Sequence, residues 1–333
     1  MIPDILALLA SLAAILFACF LFTNAIEWLG NRMKLGNGAV GSVLAAVGTA
    51  LPETIIPIIA VFFFKGAGAG QIAVGAIAGA PFMLGTLAFF VTGAAVAVYS
   101  LYGKRKIKMN ASPDVISRDL TFFIIVYSAA VLSTLLKGHG MVKIAAGITL
   151  LLSYIIYVKI TFSDRGGEAL EEPEALYVSR LFRAGNSMPL IIIQLVVSLA
   201  ILVSGADFFV NNTSKLSLLL GVPPLILSIL ITPFATELPE KFNSVIWIGR
   251  NKDTLALGNI TGAMVFQSCF PVVFGIIFTP WDIKGTTLVS AIFALGTALL
   301  NLIWIRVTKS VNAWFLMATG AVYFIFIAWI FIK

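Results

Sequence analysis

Long apolar runs, broken by short basic or glycine-rich segments, make up nearly the whole chain. About ten of them reach roughly 20 residues, the length at which a helix rising ~1.5 Å per residue crosses ~30 Å of hydrocarbon. They span approximately 5–29, 38–64, 70–99, 118–136 and 141–162, then 189–211, 222–249, 255–279, 285–306 and 311–332. The least apolar stretch lies between the two sets of five, with Glu168, Glu171, Glu172 and Glu174 gathered around Pro173. The pattern therefore predicts a first five-helix repeat over 1–162, a linker over 163–188 and a second five-helix repeat over 189–333. Such an acidic run reads as solvated chain.

Composition agrees with a membrane protein: 60% of residues are hydrophobic and 11% charged, with a mean hydropathy of +1.03. The net charge of +7 implies no nucleic-acid partner, because the basic residues sit in short loops between spans, where they orient a protein in the bilayer. Arg32, Lys34, Lys104, Arg105, Lys106, Lys108, Arg118, Arg165, Arg180, Arg183, Arg250, Lys252, Arg306 and Lys309 fall on one side. The opposite side keeps a scatter such as Lys65, Lys137, Lys215 and Lys284. The positive-inside rule then predicts a cytoplasmic linker and both termini outside, in a plasma (inner) membrane. An odd number of helices per half makes the halves opposite in topology. The expected fold is an all-α polytopic membrane protein, ten transmembrane helices arranged as two inverted five-helix repeats with interrupted helices. The first apolar run lacks a basic leader and an obvious cleavage site, so it reads as a span. Cys19 and Cys269 lie inside apolar runs and read as packed thiols. Membrane lipid and inorganic cations are the implied partners, and nothing in the pattern speaks to oligomeric state.

Candidate chemistry comes from one phrase present in each half: GTALPE, Gly48 to Glu53, and ATELPE, Ala235 to Glu240. Each places a threonine, a helix-breaking proline and a carboxylate in the middle of a span. Proline removes a backbone donor and opens the helix, freeing carbonyls that can face a cation. Thr49 and Glu53 are four apart, as are Thr236 and Glu240, so helical spacing stacks each hydroxyl with its carboxylate. Hard cations prefer such oxygens, and two carboxylates balance one divalent charge. The alternative is a structural role, with each acid neutral or satisfied by a helix end, but ionisable groups at mid-membrane are functional by default. No nucleophile with a base, zinc motif or phosphate loop stands among the spans, which argues against an enzyme and implies no cofactor.

Each of these helices is followed by one rich in small residues, Gln71 to Gly85 and Thr254 to Ser268, in which Gly75 and Gly79 recur as Gly258 and Gly262. That spacing suits close helix packing. Together, GTALPE and ATELPE with AVGAIAGAPFML and ALGNITGAMVFQ resemble the two alpha-repeats of the calcium/cation antiporter superfamily, especially the prokaryotic sodium/calcium exchangers. The Ser204 to Gly221 run is similar to the helix leading into the second repeat. The resemblance implies that Glu53 and Glu240 are paired calcium ligands, that Thr49 and Thr236 supply oxygens at the helix breaks, and that Ca2+ and Na+ are the transported ions. The family's serine after Gly-Thr is replaced by Ala50 and Glu237, its serine in the next helix by Ala80 and Ala263, and that helix's terminal Asn or Asp by Leu84 and Gln267. In family members these positions help bind sodium or water, so their replacement opens the way to proton coupling.

Glu237 lies three residues before Glu240, so it is read either as a third site carboxylate or as a cap at the start of a half-helix. Gln267 either lines the site with its amide oxygen or makes an interhelical hydrogen bond. Thr232 extends the Thr236 and Glu240 stripe and is expected to bond back to its own helix. Glu27, Asp207, Asn24, Asn211 and Asn212 lie towards span ends and read as anchors or vestibule residues, and His139 as an exposed loop residue. Three functions compete: an antiporter exchanging Ca2+ for Na+, a proton-coupled or other-divalent antiporter of the same fold, and a membrane receptor or scaffold without transport.

Overall fold

A computed structural model describes residues 2–32, 51–64, 66, 68–136, 140–163, 175–182 and 185–332. Thr49, Lys34, His139 and the acidic part of the linker lie outside the described residues. Every regular element among the described residues is a helix. Eight helical stretches are long and apolar enough to cross a membrane, and two shorter apolar ones, Glu53–Phe62 and Pro224–Phe234, carry the prolines next to the repeated phrases.

The first half contains α1 (Ile2–Arg32), α2 (Leu51–Phe62), α3 (Ala69–Met83), α4 (Phe89–Leu101), α5 (Pro113–Leu132) and α6 (Gly140–Ser163). Between α3 and α4 the helix widens into a π-helical turn, Leu84–Ala88. This follows Pro81, which cannot donate to the preceding turn. The linker contributes a short helix, α7 (Tyr177–Phe182), whose first amides are satisfied by side chains of its neighbours: Tyr177 N donates to Asn24 of α1 and Val178 N to Gln194. Asn24 thereby ties the linker to the bundle instead of anchoring the span at its end, and it also accepts from Gln194.

The second half contains α8 (Met188–Leu220), α9 (Pro224–Thr236), α10 (Leu238–Gly249), α11 (Asp253–Gln267), α12 (Phe270–Phe278), α13 (Thr286–Thr308), α14 (Ala313–Gly320) and α15 (Val322–Ile332). Gly221 ends α8 in the left-handed region, at φ 65°, and donates to Ser217 O; Pro223 and Pro224 follow and prevent the helix from continuing. The long pair α1 and α8 pack along each other and share an apolar cluster with α2, α3 and α9. A second, larger cluster joins α3 to α6 with α9 to α15. Outside these clusters, large apolar side chains such as Leu6, Leu9, Phe17, Val196 and Phe208 face outward, as expected of surfaces covered by lipid rather than water.

Helix α3 packs backbone-close on α9. A Cβ built on Gly75 would lie 2.8 Å from Leu225 O, and one on Gly79 would lie 2.5 Å from Ile229 O and 2.8 Å from Pro233 Cγ. Only glycine fits there, which lets Ser228 Oγ donate to Ile72 O across the interface at 2.7 Å. Gly258 and Gly262 have no such contact among the described residues; the nearest atom to Gly262 is Tyr157 Oη at 3.6 Å.

Candidate functional site

Pro233 lies inside α9 and Pro239 in the first turn of α10, so the chain cannot form an unbroken helix between them. Glu237 is the joint, at φ −90° and ψ 2°. Its amide still donates to Pro233 O at 3.1 Å and its carbonyl accepts from Lys241 N at 3.2 Å, so the break is one residue deep. Glu240 therefore sits in the first turn of a new helix, and Glu53 likewise sits in the first turn of α2. The first turn of a helix presents unpaired N–H groups and the positive end of its dipole, the place in a low-dielectric interior where a carboxylate is least unfavourable.

Both acids are buried, Glu53 with 3% and Glu240 with 1% of its surface exposed, and Glu237 is fully enclosed. Glu53 lies within range of the charges of Glu240 and Glu237 and beside the Thr236 hydroxyl. Cys19 of α1 is also within range of Glu53 and Glu240. Neither carboxylate oxygen of Glu53 accepts a hydrogen bond from the described residues. Buried carboxylates are normally hydrogen-bonded or paired, so this arrangement suits an acid awaiting a cation. No three His, Cys, Asp or Glu side chains among the described residues converge into a metal cage; a cation here would take its remaining oxygens from hydroxyls, carbonyls or water.

Glu237 does not cap α10 with its side chain. Its Oε1 instead accepts from Gln267 Nε2 at 2.7 Å, joining the α9–α10 break to the end of α11. Gln267 thus makes an interhelical bond, and its own Oε1 keeps no partner among the described residues. Thr236 Oγ1 bonds back to Thr232 O at 3.2 Å. Thr232 pairs its hydroxyl with that of Ser228, one turn earlier on its own helix, at 3.1 Å. Asn259 Nδ2 reaches Glu240 O at 3.3 Å, and Ser244 Oγ reaches Ala256 O at 2.9 Å, so α10 is held against α11 at the acid and one turn beyond it. Ala80, Ala263 and Leu84 are buried, the last two within the larger apolar cluster. Of the residues expected at the site, Glu53, Glu240, Thr236, Glu237 and Gln267 fall in one connected region; Thr49 lies outside the described residues.

Lys241 and Asp119 are among the buried charges that sequence reasoning missed. Lys241, directly after Glu240, is 6% exposed and lies within range of Glu237, Glu240 and Glu53. The signal was its spacing of four from Glu237. Asp119 in α5 accepts from Thr261 of α11 at 2.7 Å, Tyr157 of α6 at 3.1 Å and Arg118 at 3.2 Å. With all its partners in place, it holds helices together and is not a cation site.

Comparison with known proteins adds the following. The sequence profile described as sodium/calcium exchanger protein matches residues 4–163 and 190–332. The chain is 25% identical over 245 residues to the uncharacterized membrane protein MJ0091 of Methanocaldococcus jannaschii, covering 73% of this chain and 72% of that one. The fold is similar to the crystal structure of the H+/Ca2+ exchanger CAX, with a TM-score of 0.74 at 14% identity over 97% of this chain and 81% of that one. It is also similar to the sodium-calcium exchanger NCX_Mj, with a TM-score of 0.60 at 21% identity over 98% of this chain and 97% of that one.

Proposed function

Because the chain belongs to the sodium/calcium exchanger protein family, we propose that it is a secondary antiporter exchanging Ca2+ for Na+ at a site centred on Glu53 and Glu240. The observation carrying this reading is that two carboxylates from matching phrases are buried, each in the first turn of a half-helix and within range of the other's charge. Two carboxylates neutralise one divalent ion or two monovalent ones, which is the stoichiometric basis for competition between cargo and driving ion at one place. Thr236 and the carbonyls freed at the Glu237 joint supply neutral oxygens, and Thr49 would do so from the other half.

The inverted arrangement of two five-helix halves belongs to the same reading, with the ten spans made up of the eight long ones and two short proline-bearing ones. It is supported by packing that recurs in corresponding places. α2 packs on α3 as α10 packs on α11, α4 on α14 as α12 on α6, and α3 on α13 as α11 on α5. The small-residue helices also break at matching points, at the π turn beginning with Leu84 and at Ser268 and Cys269 after Gln267. Such a pair of repeats exposes a fixed site to each side in turn when one bundle rocks against the other. In this reading the linker faces the cytoplasm of a plasma membrane and both termini lie outside.

A second reading changes the coupling ion to protons, or the cargo to another divalent ion. It is favoured by Glu237, a third buried carboxylate, and by the apolar Ala80, Ala263 and Leu84 where the family carries polar groups. The test is calcium flux into proteoliposomes driven by a sodium gradient at fixed pH, then by a pH gradient without sodium. Sodium-driven flux supports the first reading, flux that answers only to pH supports the second, and no cation-dependent flux or binding rejects both in favour of a non-transporting receptor.

A further inference from the structure

Lys241 is a lysine buried among acids. Its Nζ is enclosed and takes no hydrogen-bond partner among the described residues, so the side chain does not extend to water as lysines near helix ends usually do. It lies within electrostatic range of three carboxylates, those of Glu237, Glu240 and Glu53. Glu237 is one turn earlier on the same face, since Lys241 N donates to Glu237 O. Glu237 Oε2 and Gln267 Oε1 are also buried without partners among the described residues. An enclosed ammonium and two open acceptors therefore share one buried region without bonding one another, with Gln267 Nε2 holding the other oxygen of Glu237 in place.

Charge counting gives this arrangement a role. Glu53, Glu237 and Glu240 together carry three negative charges, one more than a divalent ion neutralises. A fixed positive charge on the Glu237 side brings the total to two. We propose that Lys241 is a tethered counter-cation of the ion site: its ammonium balances Glu237, leaving Glu53 and Glu240 as the pair matched to a single divalent ion. Lys241 is then a specificity-determining residue, setting the site's net charge and opposing entry of a further cation. The inference rests on the reading of Glu53 and Glu240 as the cation-binding pair.

The test is calcium binding to the purified full chain in lipid nanodiscs, by isothermal titration at fixed pH and ionic strength. Removing one unit of positive charge from a buried site raises affinity for a divalent ion by on the order of tenfold or more, so Lys241→Gln tightens calcium binding. Glu237→Gln leaves the ammonium unbalanced and weakens binding by a similar factor. The double variant Glu237→Gln/Lys241→Met brings affinity back to within about threefold of the parent, the signature of a compensating charge pair. Opposite shifts with restoration in the double variant establish the role. A double variant as weak as Glu237→Gln makes Glu237 a direct ligand and overturns the proposal, as do single variants that shift affinity in the same direction or not at all. Should Lys241→Gln fail to fold, comparing the double variant with Glu237→Gln alone decides the matter by the same criterion. Loss of binding in Glu240→Gln checks the underlying site separately. If the parent binds no calcium, site and inference fall together; if it binds calcium and loses it with Glu240 but lacks the charge pattern, the inference alone falls.

Discussion

Replacing Arg105 by alanine tests how the loop between α4 and α5 is held to the second half. The guanidinium donates to Asp253 Oδ1 at 2.6 Å and Oδ2 at 2.8 Å, and to the carbonyls of Ile248 at 2.9 Å and Lys106 at 3.1 Å. Both side chains of this ion pair are 1% exposed. Asp253 also accepts from Asn110 N at 2.7 Å, and Ser112 N is held by Thr254 Oγ1 at 2.9 Å. The clamp thus closes over the end of α10 and the start of α11, the helices that carry Glu240 and Gln267. Arg105→Ala leaves the Asp253 carboxylate buried with only the Asn110 amide among the described residues, and it removes the donor from three carbonyls, those of Ile248, Lys106 and Lys108. Breaking a buried pair from one side costs about 3–5 kcal/mol, a loss of roughly 10²- to 10⁴-fold in the folded-to-unfolded ratio. For a chain of this size the apparent Tm falls on the order of 5–10 °C, measured by fluorescence-detected size exclusion after heating the solubilised protein. Arg105→Met/Asp253→Leu recovers part of the loss, because the buried charge is gone, but not all of it, because the carbonyls and the Asn110 amide stay unpaired. An unchanged Tm in Arg105→Ala would refute the clamp.

Two further substitutions probe the packing around the site. Gly79→Leu places a Cβ 2.5 Å from Ile229 O and 2.8 Å from Pro233 Cγ, forcing α3 away from α9; it should abolish calcium flux or monodispersity, while Gly258→Ala, with no described atom within 4 Å, should preserve both. A Gly79→Leu protein that folds and transports normally would mean the approach is not required. Gln267→Leu strips the only described donor from Glu237 and costs about 1–3 kcal/mol for the unsatisfied buried oxygen, read as a lower apparent Tm. Equal stability would show that the hydrogen bond is not made in the membrane.

Eight long spans and the repeated phrase were legible in the sequence because both rest on local composition: apolar length sets the helices, and Pro233 and Pro239 set the break at Glu237. What escaped was whatever depends on side chains distant in the chain. Gln267 and Glu237 are 30 residues apart, and apolar patterning gives no indication which amide meets which acid. Arg105, read as a loop charge that orients the protein, meets Asp253 148 residues away, and both are buried. Lys241 was passed over because the phrase ends at Glu240, although its spacing from Glu237 already placed the two on one face. The π turn at Leu84–Ala88 and the break after Gln267 lie within helices that read as continuous, since the turn responds to packing on α13 and α14 as well as to Pro81. The helix α7 likewise depends on Asn24 and Gln194, which sit on other spans.

Radiolabelled calcium uptake into proteoliposomes carrying Glu53→Gln or Glu240→Gln, beside the parent under the same imposed gradient, tests the central claim most directly. Each substitution keeps the volume of the side chain and removes one of the two charges that face a divalent ion. The parent should accumulate calcium and both variants should stay at the level of empty vesicles while remaining folded. Uptake at the parental rate in either variant would show that the two carboxylates do not bind the transported ion.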